Sequence, residues 1–265
     1  MPRSHTLMLC ALLASGLAAQ APDGWSGPAQ EAYAQLDAEF AEARATNRAE
    51  RAAVRATEEY KKAAAARDRA TTRKLLAAVE PVDSGAFARR ALDLAGQFAG
   101  DDVVPFYGWV LRNGGDKALS REALTALRRD HLRSPAMAAV LESGSGIGRQ
   151  LGAAVASVFF DEVIEQSPHS VARAWAIYWD AIPVTRNRRA SDEDRAAAMD
   201  RLKEAAKLAE GTAAGDKIGA PVFEQERLQI GMVAPDIEGV DTDGTAFKLS
   251  DYRGKVVVLD YWGFW

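Results

Sequence analysis

SPHSVARAWAIYWDAI, residues 167–182, sets the grain of this chain. After the Ser167-Pro168-His169-Ser170 turn, Ala172, Trp175 and Tyr178 return at helical spacing, with Trp179 beside them. A half-buried strand would alternate apolar and polar residues. These large side chains recur every three to four residues, which is one stripe of a helix. Aromatic rings on such a stripe are read as a packed core face before they are read as a ligand box. Upstream, residues 155–164 form a second apolar run of helix length, so the two runs and the turn between them read as an α-hairpin.

The same pattern extends in both directions. Residues 84–98 carry Phe87, Leu92, Leu94, Ala95 and Phe98 before Gly100. Residues 101–111 carry Val103, Phe106, Tyr107 and Val110 before Asn113-Gly114-Gly115. Ser120 is expected to cap a helix with Leu124, Leu127 and Leu132, ended by Ser134-Pro135. Residues 191–210 form the last, and Asp192, Glu193 and Asp194 favour its start through the helix dipole. Between Ala29 and Val79 there is no proline or glycine, and Tyr33, Leu36, Phe40 and Ala43 share a stripe. Ser26 reads as the cap of that stretch, with Pro28 in the first turn. Its apolar stripe thins towards Leu75, so it is either one long exposed helix or two helices broken near Thr46-Asn47. A helical domain is therefore expected over residues 28–215. Its pairs of short helices resemble tetratricopeptide arrays, although no clean self-match at that family's period of about 34 residues is found.

Composition narrows the function. Of 265 residues, 48% are hydrophobic and 26% charged, the balance of a globular chain. Lys and Arg number 33 against 37 Asp and Glu, so the totals supply no basic surface for a phosphate backbone. The single cysteine is Cys10, and no thiol site or disulfide can be built after it from these residues. No metal site or cofactor is expected: His131 and His169 lack any ligand spacing. Glu142 to Gly148 is glycine-rich, but it follows a helix and lacks the Lys-Ser/Thr of a phosphate loop, so a flexible inter-helix loop is expected. Arg186-Asn187-Arg188-Arg189 reads as a solvated loop.

Residues 1–21 have the layout of a secretory signal peptide: Arg3, then an apolar run from Leu7, then small residues to Ala21. The run is shorter than the roughly 18 to 20 residues that cross a bilayer. Cleavage after Ala18 or Ala21 is expected, with export to the periplasm or cell envelope and no transmembrane segment afterwards. Cys10 lies inside the run and is read as an apolar filler.

From Leu228 alanine-rich helix gives way to strand and turn residues. Asp243-Gly244, between residues 237–240 and 245–249, is a hairpin signal. LSDYRGK at 249–255 reads as a short capped helical turn stopped by Gly254. Residues 256–262, VVVLDYW, form a continuous apolar run, as in a strand buried on both faces. A central strand needs a crossover and a neighbour, so a chain that stops at Trp265 reads as truncated.

IGMVAPD at 230–236, Asp243-Gly244, LSDYRGK and VVVLDYWGFW at 256–265 occur in the order of a redoxin or thioredoxin-like domain. Residues 228–265 resemble most the periplasmic disulfide reductases of the TlpA-like type, related to the alkyl hydroperoxide reductase and thiol-specific antioxidant group. The resemblance implies a mainly α chain that ends in the first part of an α/β thioredoxin fold. It also implies a Cys-x-x-Cys directly after Trp265, where a helix N-terminus lowers the thiol pKa. Trp262, Gly263, Phe264 and Trp265 would flank that active site, and no catalytic residue lies within the 265. Peroxiredoxins share the earlier motifs but continue in a Phe-Tyr-Pro style, so Trp262 and Trp265 favour the dithiol reductase. The implied parent exchanges its dithiol with protein disulfides, is served by a thiol electron donor, and the present chain would be inactive. The competing expectation is non-enzymatic: a helical scaffold or protein-binding module.

Overall fold

The computed structural model describes residues 25–260; the signal-peptide reading of residues 1–21 and the residues flanking the expected active site lie outside it. Twelve α-helices, one two-stranded sheet and three short irregular helical turns make up the described residues. The chain is mainly helical.

The first helix, α1, runs unbroken over Pro28–Ala56. Gly27 is its cap residue, so Ser26 is not, and the expected break at Thr46-Asn47 is absent. The alanine-rich stretch has high helix propensity throughout, and Asn47 is accommodated because its side-chain amide donates to the Glu80 carbonyl at 2.6 Å. The break falls at Thr57, whose hydroxyl donates to Val54 O and accepts from Tyr60 N–H, which ends one helix and caps the next. That next helix, α2 (Glu58–Ala65), closes in a Schellman motif with Arg67 at φ 56°. Asp68 then caps α3 (Arg69–Ala77) through Ala70 and Thr71 N–H.

The remaining helices follow at short intervals: α4 Ser84–Ala95, α5 Val104–Asn113 after a 3-10 turn at Gly100–Val103, and α6 Lys117–Ala126. Asp116, not Ser120, caps α6, accepting from Ala118 and Leu119 N–H. Ser120 is fully buried one turn inside the helix, where its hydroxyl bonds Asp116 O and Gln150. A π turn at Leu127–His131 leads to α7 (Met137–Glu142) and α8 (Ser145–Leu151). The hairpin read from residues 155–182 is α9 (Ala153–Gln166) and α10 (Ser170–Thr185). Ser191 and Asp194 form a complete capping box at the start of α11 (Asp192–Leu208). A further helix that the sequence reading did not mark, α12 (Gly215–Arg227), follows.

One core joins α1, α4 to α10 and the ends of α11 and α12. Tyr33 and Phe40 from α1 meet Phe106 and Trp109 from α5 edge to face. Trp109 is fully buried, and its indole N–H is satisfied by Asp37 at 2.9 Å. Arg112 donates to the Tyr33 hydroxyl, while burial pushes that phenol's pKa up. Leu202 of α11 packs with Ala181 and Ile182 in a small satellite cluster.

The glycine-rich stretch is part of this packing and is not a flexible loop. A Cβ on Gly144 would lie 2.5 Å from the Trp179 ring, and one on Gly146 would lie 2.8 Å from Leu111 O. The glycines let α8 approach α5 and α10, an approach that alanine at either position would force to shift.

Candidate functional site

The C-terminal segment is built from its turns outward. β1 (Glu238–Val240) and β2 (Ala246–Lys248) pair antiparallel with Gly239 opposite Phe247. Asp241 N–H donates to Thr245 O across a three-residue loop, and the Asp241 carboxylate accepts from Asp243 and Thr245 N–H. Gly244 supplies the left-handed residue at φ 84° that this loop length requires. The Asp-Gly hairpin signal was legible because it is local.

LSDY forms the expected turn, a 3-10 helix over Leu249–Tyr252. Asp236 clamps it to the irregular stretch just before β1. Its carboxylate accepts from Ser250 N–H at 2.8 Å and from the Ser250 hydroxyl at 2.7 Å. Those bonds, the hydroxyl's foremost, hold the Asp236 carboxyl below the usual carboxylate range. Leu249 N–H donates to Ile237 O, which adds a backbone tie. The Asp of IGMVAPD and the Ser of LSDY are thus two ends of one lock, a pairing that spacing alone did not reveal.

Residues 256–260 belong to no strand, and Val256 and Val258 are 98% and 87% exposed. The strand expected over 256–262 is therefore not formed over its described part. An apolar run needs covering layers on both faces, and no residue from 228 to 260 is buried. The described segment is a hairpin and a turn; a thioredoxin fold is not assembled from it. Trp262, Gly263, Phe264 and Trp265 lie beyond the described residues.

In the helical body, Trp175, Tyr178 and Trp179 pack on one another, Trp175 and Trp179 stacked at 6.1 Å. His131 lies beside the Tyr107 ring and His169 beside Arg133 O, in separate places. Residues 186–189 are exposed, as a solvated loop should be. No local pattern marks the cleft of about 740 Å³ between the 3-10 turn at Gly100–Val103, α7, the start of α10 and the turn before α12. Trp25, Asp102, Glu142, Trp175 and Lys217 are among its lining residues. The missing signal is intrinsic: these residues are far apart in the chain and each looks unremarkable alone.

A 42-residue segment, 16% of the chain, matches thioredoxin-like redoxins, and the match is confined to that segment. The matched relatives are thiol-disulfide oxidoreductases named ResA. Identity is 45% with that of Geobacillus kaustophilus (strain HTA426), 43% with that of Geobacillus thermodenitrificans (strain NG80-2) and 40% with that of Bacillus anthracis. The match covers 24% of each relative, so the chain spans about a quarter of the length of the curated relatives it matches. No protein-family model and no solved structure matches the chain. No helix among the described residues is long and apolar enough to cross a membrane.

Proposed function

We propose that the segment from residue 228 onward opens a thiol-disulfide oxidoreductase domain of the thioredoxin-like type, carried behind a helical domain at residues 28–215. The observation that carries this reading is the similarity of 42 residues to oxidoreductases of that name. The hairpin and the Asp236–Ser250 lock are compatible with it, since they give the redoxin motifs a defined local structure. In this reading Trp262, Gly263, Phe264 and Trp265 flank the active site, and sequence beyond these 265 residues supplies the dithiol. That dithiol attacks a client disulfide as a thiolate, passes through a mixed disulfide and is reduced again by a thiol donor. The signal-peptide pattern of residues 1–21 supports work in the periplasm or envelope.

Insulin reduction by dithiothreitol tests the redox assignment. The 265-residue chain should leave the buffer rate unchanged, and the gene's continuation through a Cys-x-x-Cys should restore catalysis. Turnover by the 265-residue chain itself, with contaminating thioredoxin excluded, would falsify the assignment. Export is tested by N-terminal sequencing of secreted protein, which should begin at Ala19 or Pro22; an intact Met1 would refute it.

The cleft favours a second reading for the helical body, as a protein-binding scaffold with the grain of a tetratricopeptide array. The two readings are compatible in one chain.

A further inference from the structure

We propose that the cleft between α7, the start of α10 and the start of α12 binds an extended peptide that carries a basic side chain next to an apolar one. This rests on the scaffold reading of the helical body and is independent of the redox assignment. At about 740 Å³ the cleft falls within the usual range for ligand sites, roughly 300 to 1,000 Å³. Its apolar side is the half-buried ring of Trp25, backed by Trp175, Pro105 and Ala136, which are themselves buried in the core and give the wall a rigid base.

Charge selects the ligand. Asp101, Asp102 and Glu142 line the cleft against a single lysine, Lys217. Lys217 is already neutralised by its ion pair with Glu142, which ties α12 to α7 across the cleft. Asp102 accepts from the Trp25 indole N–H at 2.9 Å, so the ring is fixed beside a carboxylate. The Asp101 carboxylate has no ion-pair or hydrogen-bond partner among the described residues, its backbone carbonyl alone being engaged, by Val104 N–H. What remains uncompensated is negative charge next to an indole, the arrangement that attracts a lysine or arginine through both the carboxylates and the ring face. The site is preorganised, because the Glu142–Lys217 strut and the Asp102–Trp25 bond exist without ligand.

A peptide is favoured over a small amine because the lining is spread along four elements, farther than one amine reaches from the Asp101 and Asp102 carboxylates past the half-buried Trp25 ring. The test uses the full chain and an N-terminally dansylated Ala-Lys-Phe-Lys-Ala amide, read by fluorescence anisotropy. Binding should be at least tenfold tighter than for the same peptide with Glu in place of Lys, and should weaken several-fold between 50 and 300 mM salt. Asp101→Asn with Asp102→Asn should weaken it about tenfold and remove most of the salt dependence. The amides keep the shape and the acceptor for Trp25, and the thermal melt reports whether the variant folds. Trp25→Phe should weaken binding without changing the salt dependence, and Asp243→Asn in the hairpin should change nothing.

Equal binding of the Lys and Glu peptides, or affinity untouched by the Asp101/Asp102 pair, overturns the cationic assignment while leaving a scaffold. Phenethylamine binding as tightly as the peptide overturns the peptide assignment. No binding of any probe at millimolar concentration overturns the cleft as a site and the scaffold reading with it.

Discussion

At the scale of single residues, glycine and aspartate decide more here than the aromatic side chains that first draw the eye. Gly144→Ala would drive a methyl to 2.5 Å from the Trp179 ring, whose indole N–H already donates to Leu141 O at 2.6 Å. Overpacking of this kind costs about 1–3 kcal/mol, visible as a lower urea midpoint. Gly148 lies four residues on, inside α8, with its nearest neighbour atom 3.9 Å from a new Cβ, so Gly148→Ala should be neutral or slightly stabilising. The contrast separates close packing from a general effect of alanine. Asp236 makes a second prediction. Its folded pKa is depressed by the Ser250 bonds, so its contribution is present above the unfolded carboxylate value and fades as pH falls through the folded one. Protection of the Ser250 amide should hold at neutral pH and drop below about pH 4, the reference range for Asp. Amide exchange by NMR measures this, and Asp236→Asn should flatten the pH dependence.

At the scale of elements, α12 has the most to say about where the helical body stops. Ile218 is fully buried in the main core and is the one buried residue of its helix. Ile218→Ala should cost about 2–5 kcal/mol by denaturant unfolding. A truncation after Arg227 should therefore melt as cooperatively as the parent, whereas one after Gly215 should melt lower. Equal melting temperatures for the two truncations would show that α12 adds nothing. Helix starts show how far local patterning reaches. The acidic first turn of α11 and the Asp-Gly hairpin were legible because each is complete within a few residues, whereas the Ser191–Asp194 capping box emerged only in the structure. Ser120 misled because its type suits a cap, yet Asp116 offers the same chemistry four residues earlier and Ser120 is needed inside. Propensity could not locate the break between residues 29 and 79, since alanine, arginine and glutamate continue across it and only the Thr57 hydroxyl turns the chain.

For the molecule as a whole, stability should divide at the end of α12. Residues 104–111 hold Phe106, Trp109, Val110 and Leu111 at or near zero exposure, while nothing from 228 to 260 is buried. Hydrogen exchange read by mass spectrometry should find the first slow and the second close to the unprotected rate, apart from the hairpin amides and those of Leu249 and Ser250. The run at 256–260 joins high strand propensity to exposure, with Asp260 its single charge, and should promote association that a Val257→Lys change suppresses in light scattering.

Amino-acid order alone settles the helical class, several helix starts, the Asp-Gly hairpin and the redoxin motifs at the C-terminal end, because each of these is a property of neighbours within a few positions. Periodicity, caps and turn residues act over one or two turns of chain, and so they can be read without a fold. The Asp236–Ser250 lock, the burial of Ile218, the close approach at Gly144 and the cleft between Trp25 and Trp175 bring together residues that are separated along the chain. Their energies come from desolvation and packing against surfaces that exist only once the helices have docked.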